Sequence, residues 1–374
     1  INLKGIKFGM CGISGILTYK GFQPLGNSNI KKMTKELIHR GPDDEGFYFD
    51  NTIHLGFRRL KIIDLEHGNQ PMSNEKNTIV MIFNGEIYNY LDLRKLLINH
   101  GYNFRTKSDT EVILYAYEHF GINFVNKLRG MFAIAIWDKQ LKKLILARDR
   151  AGQKPLFYAS TENRLYFSSE MNSMMKLPDI KFDLDYNAVD SYFQFSYINS
   201  PESIYSGVRQ LPPGCILETK YTNDNPRITK YWKLEPKPDY TKNKNYFVDG
   251  VKHLLDESVK LRLQSDVPLG VLLSGGLDSS IIVGLASKNI GKIKTFSIGF
   301  NEREYDETTY SQLVSDKFNT DHITDIVNEN NITVDDFYEY VKSMDGPFGD
   351  SSYIPTYWVS KIAREHVTVG LSGD

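Results

Sequence analysis

The sequence reads as a two-domain protein, α+β in its first half and α/β in its second. A strand-rich domain covers residues 11–232, a linker 233–245, and a doubly wound parallel sheet 246–374. Three observations predict this. Short apolar runs alternate with turns in the first half, and few stretches keep a helical period for long. The Lys/Pro/Asn-rich segment from Lys233 to Asn245 has no apolar periodicity and separates the halves. Beyond it, strand-sized and helix-sized periods alternate, as βα units do, and ligands of such sheets lie beyond the carboxyl ends of the strands.

The second half is organised around Asp266 to Lys288, DVPLGVLLSGGLDSSIIVGLASK. Pro268 to Leu273 is too short for a buried helix and reads as an interior strand, while Ile281, Ile282, Leu285 and Ala286 follow at helical spacing. The junction is Ser274-Gly275-Gly276-Leu277-Asp278-Ser279-Ser280. Two glycines permit positive φ and close approach to a ligand, and serine hydroxyls join the unpaired N–H groups of the new helix. Such a turn holds phosphate oxygens. Asp278 stands where the common phosphate loop has a lysine, so a bound polyphosphate needs a metal ion, with Asp278 as its candidate ligand. A helix over Phe247–Leu263, with Val251, Leu254, Leu255 and Val259 on one face, leads into this unit. Lys294–Phe300 is a second strand, Thr308–Phe318 a helix, and Asp321–Ile326 a third strand.

Composition bounds the function. The 374 residues carry 41% hydrophobic and 24% charged side chains and a formal net charge of −1. These values suit a soluble globular protein with no general attraction to nucleic acid or anionic membrane. The longest apolar run, around Met131 to Trp137, is strand-sized, and the first residues carry no signal-peptide core. Two cysteines, Cys11 and Cys215, allow at most one bridge and nothing suggests it, so a reducing cytoplasm is the default. A homodimer is compatible with this sequence.

In the first half, Met10 precedes Cys11-Gly12-Ile13-Ser14-Gly15-Ile16. If Met10 is the start and is removed, Cys11 gains a free α-amino group, of ordinary pKa ~7.7–8.0, beside its thiol. That amine can take the thiol proton and generate the nucleophile without a histidine. Residues 1–10 are then expected to be absent from the mature protein. On these residues alone, a small buried cysteine in a first strand is the simpler reading. Ile79 to Phe83 is an apolar strand ending at Asn84-Gly85, a turn whose amide groups can face an anion. Met131–Trp137 and Lys143–Arg148 form a hairpin around Asp138–Leu141.

MCGISGI resembles the opening of the class II glutamine amidotransferases. So do His39-Arg40-Gly41-Pro42-Asp43, Phe57 to Asp64 (FRRLKIID), Phe83 to Asn89 (FNGEIYN), Lys107 to Ile113 (KSDTEVI), Arg148 to Tyr158 and Leu165 to Met171. SGGLDSS resembles the pyrophosphate loop of ATP pyrophosphatases. The whole from Met10 onward resembles the glutamine-dependent asparagine synthetases, through Met344-Asp345-Gly346-Pro347, Asp350-Ser351-Ser352 and the final Val367 to Asp374. The resemblance implies an N-terminal-nucleophile αββα sandwich followed by the parallel sheet. It implies Cys11 as nucleophile, Asn84 and Gly85 as oxyanion hole, Arg59 on the glutamine carboxylate, and Glu86 and Asp109 on its amino group. It further implies ATP contacts at Leu272, Ser274, Gly275, Gly276, Asp278, Ser279, Ser280, Ile298, Ser372 and Gly373.

Singly, Asn84-Gly85 also reads as a hairpin turn, Arg59 as a solvated charge beside Arg58, and Asp109 as the cap of a helix over Thr110–Phe120. Their joint occurrence in family order favours the site. His39 reads as structural, Arg148 and Asp149 as a structural ion pair, and Cys215 as packing. The implied reaction hydrolyses glutamine at Cys11 and passes ammonia to an aspartate β-carboxylate that ATP has adenylated, with Mg2+ at the leaving pyrophosphate. Glutamine, aspartate and ATP are the implied substrates. A ligase of the same build acting on another carboxylate, such as a β-lactam synthetase, is the alternative. Family members continue past Asp374 with further acidic residues and a lysine, so the sequence is expected to be a fragment.

Overall fold

The computed structural model describes residues 10–177, 180, 182–222, 225–304, 306–327 and 333–373. Most of the expected N-terminal extension, and Asp374, lie outside these residues. The described chain divides into two compact units, one of 10–234 with 344–349, the other of 235–343 with 350–373. Six residues within the later sequence therefore fold with the earlier unit.

The first unit begins with β1 (Gly12–Thr18), α1 (Asn27–Glu36), β2 (Asp44–Phe49), β3 (Ile53–Arg59), β4 (Met72–Ser73) and β5 (Ile79–Ile87). Helices α2 (Tyr90–Asn99) and α3 (Asp109–Phe120) follow, then β6 (Gly130–Asp138), β7 (Lys143–Arg148), β8 (Phe157–Ser160), β9 (Arg164–Ser168), α4 (Met171–Met174) and α5 (Tyr186–Phe195). Strands β10 (Arg209–Gln210), β11 (Cys215–Lys220) and β12 (Arg227–Lys230) complete it. They form two six-stranded sheets, in the orders β10-β8-β9-β1-β3-β2 and β12-β11-β7-β6-β5-β4. The anticipated hairpin is β6 and β7, paired antiparallel from Ala133↔Arg148 to Asp138↔Lys143.

Side-chain alternation, period two along every strand, sorts the residues into layers. Ile13 and Leu17 of β1 and Ile53, Leu55 and Phe57 of β3 meet Val80 and Ile82 of β5 and Ala133, Ala135 and Trp137 of β6 in a core between the sheets. The other face of the second sheet, with Met81, Phe83, Ile134 and Ile136, packs on Val112, Ile113 and Ala116 of α3. The outer face of the first sheet buries Ile16 and Tyr166 against Ile30 and Met33 of α1 and Met171 and Met174 of α4. The layering is therefore helix, sheet, sheet, helix: the αββα sandwich. Cys215 is a free, buried thiol in the central layer.

The second unit comprises α6 (Lys244–Arg262), β13 (Leu269–Leu272), α7 (Leu277–Ile290), β14 (Lys294–Phe300), α8 (Thr308–Phe318), β15 (Asp321–Val327), α9 (Val334–Ser343), α10 (Tyr353–Arg364) and β16 (Val369–Leu371). The sheet has the order β15-β14-β13-β16, and every pairing is parallel. Val259 of α6, Val283 and Ala286 of α7, and Val314 and Phe318 of α8 cover one face. Ala363 and its neighbours Val359 and Ile362 of α10 cover the other against Phe296. Helices on both faces make it doubly wound. Two details depart from expectation. Helix α6 starts at Lys244 with Asn243 as its cap, inside the stretch read as linker. On its predicted apolar face Val259 is buried, but Val251 and Leu254 are 56% and 60% exposed. Among the described residues no helix is long and apolar enough to cross a membrane.

Candidate active sites

Alternation also decides which polar side chains enter the central layer. Cys11 lies two residues before Ile13 and packs on that layer, and Arg59, two beyond Phe57, falls on the same face. Arg58 therefore points outward, where its Nη1 donates to Glu45 at 2.7 Å. Strands β1 and β3 pair with Gly12 opposite Arg58, so the start of one and the end of the other lie side by side. From the second sheet, Asn84 and Glu86 continue the inward series of Val80 and Ile82. Cys11, Arg59, Asn84 and Glu86 thus occupy inner-face positions of two facing sheets.

The Asn84-Gly85 turn is not observed. Both residues lie within β5, paired with Ala133 and Phe132 of β6. The glycine answers a different need: a Cβ at position 85 would stand 2.0 Å from the Met131 carbonyl oxygen and 2.8 Å from Phe132 Cα. Asn84 is 1% exposed, and its Nδ2 is buried without a hydrogen-bond partner among the described residues. A buried amide donor left open costs roughly 1–3 kcal/mol, a cost that an ordered water or a substrate oxygen removes.

Arg59 is 4% exposed, which excludes the solvated charge. Its Nη1 donates to Asn69 Oδ1 at 2.7 Å and its Nη2 to the Asp64 carbonyl at 2.6 Å, so the loop after β3 wraps the guanidinium. Gly68 has no room for a side chain there, since a Cβ would meet Arg59 Nη2 at 2.4 Å. A cleft at this point is lined by Asp44, Glu45, Phe57, Arg59, Asn69 and Gln70. Asp109 is not the cap of α3. Ser108 is, its hydroxyl accepting from Thr110 N at 3.0 Å, which leaves the Asp109 carboxylate to accept from Ile87 N at 3.0 Å. Burial first, then the charge of Glu86, pushes Asp109 up to about 7, against the backbone N–H groups that favour its ionised form.

The thiol of Cys11 donates to the Leu60 carbonyl at 3.6 Å and its sulfur accepts from Leu60 N at 3.4 Å. Desolvation pushes it up to about 11, while the Leu60 contact and the charges of Lys154 and Arg59 pull the other way. With Met10 still attached, no free α-amine stands beside the thiol to take its proton.

The surrounding motifs hold these parts. Arg40 Nε donates to the Cys11 carbonyl at 3.2 Å, and its Nη1 donates to Glu170 at 2.8 Å, where His39 Nε2 also lies at 2.8 Å. A Cβ on Gly41 would lie 2.5 Å from Arg59 N. Arg148 and Asp149 do not pair as expected; each organises backbone. Arg148 donates to the carbonyls of Lys154, Leu211 and Gly152 at 2.7–2.8 Å. Asp149 accepts from Phe132 N, Gln153 N and Lys154 N. Sequence reasoning missed Asn69, Gln70, Lys154 and Glu170. Gln70 clips Phe83, the residue before Asn84, with its Oε1 accepting at 2.6 Å and its Nε2 donating at 3.2 Å. Only the Gly-Asn-Gln-Pro run hinted at it.

In the second unit the strand-to-helix junction forms as expected. Gly275 has φ 85°, and a Cβ there would strike Ser311 N of α8 at 2.6 Å. Helix α7 starts after Gly276 with no side-chain cap, so its first N–H groups are open to a ligand. Ser274 and Ser279 hydroxyls lie 3.0 Å apart, and Ser280 Oγ donates to the Gly276 carbonyl at 2.6 Å. Gly373 comes to this turn: its Cβ would meet Ser279 N at 2.7 Å, so Ser372-Gly373 adjoins SGGLDSS. Leu272 packs against the Phe296 cluster, and Ile298, on β14 opposite Asp325, is half-buried. The open helix start and small residues fit a polyphosphate. Asp278, exposed in the first turn of α7, suits a cation that takes one carboxylate and completes its shell with phosphate oxygens and water, as Mg2+ does. Among the described residues no cluster of three or more His, Cys, Asp or Glu could hold a metal without such help.

Two family models match the chain, "Glutamine amidotransferase domain" over residues 10–232 and "Asparagine synthase" over 250–374. Asparagine synthetase [glutamine-hydrolyzing] 1 of Bacillus subtilis (strain 168) is 37% identical over 98% of this chain and 57% of its own length. Putative asparagine synthetase [glutamine-hydrolyzing] 2 of Methanocaldococcus jannaschii is 40% identical over 98% of this chain and 74% of its own length. Amidase chry2 of Gibberella zeae is 36% identical over 74% of this chain and 43% of its own length. The chain thus spans little more than half of the Bacillus relative.

Proposed function

From the premise that this chain belongs to the glutamine-hydrolysing asparagine synthetase family, we propose that it releases ammonia from glutamine at Cys11 for an ATP-dependent amidation of aspartate to asparagine, yielding glutamate, AMP and pyrophosphate. The observation that carries the glutaminase reading is the unpartnered, buried Asn84 Nδ2, an open donor on the inner-face series that faces the layer where Cys11 packs.

Processing that exposes Cys11 supplies the base: the free α-amine takes the thiol proton, and the thiolate attacks the glutamine amide carbon. The amine returns that proton to the nitrogen as the C–N bond breaks, releasing ammonia and leaving a thioester that water hydrolyses to glutamate. Asn84 Nδ2 and Gly85 N–H stabilise the oxyanion that forms. The substrate zwitterion is fixed at both ends, its carboxylate by Arg59 and its ammonium by Glu86 and Asp109. The guanidinium charge matches a carboxylate and paired acids match an ammonium; Nη1 and Nη2 already donate to Asn69 and the carbonyls of the loop after β3, so the substrate carboxylate exchanges for part of that shell. Substrate ammonium also favours the ionised form of Asp109. In the second unit the open start of α7 with Ser274, Gly275, Gly276, Ser279, Ser280, Ser372 and Gly373 holds the pyrophosphate, and Leu272 and Ile298 flank the nucleotide. Mg2+ held by Asp278 would neutralise the leaving phosphates. Free cysteines and the biosynthetic substrates favour a cytoplasmic setting.

The test has two arms. Protein with Cys11 at its terminus releases glutamate from glutamine and loses this on Cys11→Ala; inactivity of the exposed form refutes the glutaminase. The full-length polypeptide exchanges pyrophosphate into ATP with aspartate; exchange with a different carboxylate alone favours the alternative acceptor. The 36% identity to Amidase chry2 is the observation behind that second reading.

A further inference from the structure

Lys154 has no role in the chemistry above, yet its burial demands a reason. It is 7% exposed, and among the described residues no carboxylate lies within ion-pair distance of its ammonium. Its hydrogen-bond contact is the thioether of Met10 at 3.1 Å. Its backbone is fixed on both sides, the N–H donating to Asp149 at 3.0 Å and the carbonyl accepting from Arg148 at 2.7 Å. A buried, unpaired ammonium costs several kcal/mol, and tolerating it for the sake of a thioether makes no sense.

The contact does show where the ammonium points: at the residue that immediately precedes Cys11. Arg40 approaches the same place, with Nη2 3.9 Å from Met10 Sδ and Nε 3.2 Å from the Cys11 carbonyl. Once Met10 is gone, two cations border the space its side chain leaves next to Cys11.

We propose that Lys154 is a positioning residue that keeps the α-amine of Cys11 unprotonated and its thiol acidic, so that the amine works as a base near neutral pH. The proposal rests on the glutaminase reading and adds a residue to it. An ordinary α-amine, of pKa ~7.7–8.0, is mostly protonated at pH 7 and cannot accept the thiol proton. The carboxylates here act the wrong way: Asp109 raises the thiol, and Glu86 favours any cation nearby. A fixed like charge beside an amine disfavours its protonated form, and the same charge favours the thiolate. The groups facing Lys154 are Glu86 of β5, Arg40 after α1, Asp149 after β7 and Cys11; those facing Cys11 add Arg59 and Asp109. Burial lowers Lys154 itself, with Glu86 opposing that shift.

The experiment uses the full-length polypeptide with Cys11 at its terminus, verified by intact mass, and compares wild type with Lys154→Met and Lys154→Arg. Two pH profiles are recorded, the rate of Cys11 alkylation by iodoacetamide and kcat/KM for glutamine. In Lys154→Met both acid limbs should move up by about one pH unit, while Lys154→Arg restores them. A Lys154→Met profile superimposable on wild type, or an equal displacement in Lys154→Arg, overturns the proposal. Should Lys154→Met fail to fold, 15N titration of the wild-type Cys11 α-amine decides. A value below ~7.7 is expected, and an ordinary or raised one overturns the proposal. Alkylation needs no turnover, so absent glutamate release with a displaced limb faults the glutaminase reading alone, and turnover with an unmoved limb faults only Lys154.

Discussion

Replacing Asn84 by alanine should separate catalysis from stability. In most buried sites removing a polar side chain costs both, because a partner is stranded. Here Nδ2 has no partner to strand, and the neighbour across the ladder is the small Ala133. Deleting the open donor recovers part of the roughly 1–3 kcal/mol that an unsatisfied group costs, against a loss of similar size for the space left behind. The two nearly cancel, so the thermal midpoint should move by no more than about 4 °C in either direction. Activity should not be spared. Loss of one oxyanion donor removes about 2.7–4 kcal/mol of transition-state stabilisation, a fall of roughly 10²–10³ in kcat, with KM for glutamine little changed. The assay is glutamate release at saturating glutamine, paired with calorimetry on the same samples. A kcat within about threefold of wild type would remove Asn84 from the oxyanion hole. A midpoint lowered by much more than the stated amount would mean that Nδ2 is bonded after all.

Gly85→Ala should lose about 1–3 kcal/mol of stability in urea titration, because two of the three atoms its Cβ would strike belong to the β6 backbone and cannot swing aside, the third being on the Phe83 ring. Asp109 gives a pH signature: its carboxyl is held up to about 7 in the fold, so the native state binds that proton more tightly than the unfolded chain does. Its contribution is therefore full at acid pH and lost as pH rises from about 4 to 7; Asp109→Asn should flatten this part of the stability profile. In the same window KM for glutamine should fall with rising pH in wild type, as the carboxylate that binds the substrate ammonium becomes available. Gln70→Ala, which frees the backbone on either side of Phe83, should lower kcat without preventing folding, checked by glutamate release and circular dichroism.

The motifs point to the candidate residues because they are contiguous; what holds those residues is legible only where period and contact lie within one element. Thr308–Phe318 and Lys294–Phe300 were read to the residue, since apolar period and turn chemistry agree there. Asn84-Gly85 looked like a turn because its residue types favour one, but nine ladder pairings between β5 and β6 override local preference. Asp109 looked like a cap because aspartate often is, while the serine before it does that work and frees the acid for Ile87. The Arg148–Asp149 pairing rests on adjacency alone, but Arg148 ends β7 and Asp149 begins the turn after it, and each bonds to the backbone of that turn and its neighbours instead. Lys154 and Glu170 lie inside the quoted blocks Arg148 to Tyr158 and Leu165 to Met171, but nothing within those blocks singles them out. Their significance comes from contacts more than a hundred residues away, with Met10 and with His39 and Arg40.

The register of β5 against β6 carries a wider consequence. Because one strand both fills the layer between the sheets and supplies Asn84 and Glu86, insertion or deletion of a single residue before position 84 would exchange every inward side chain for an outward one. The glutamine hydrolysis proposed above would then be lost together with the fold, because the strand that closes the central layer is also the one that carries Asn84 and Glu86.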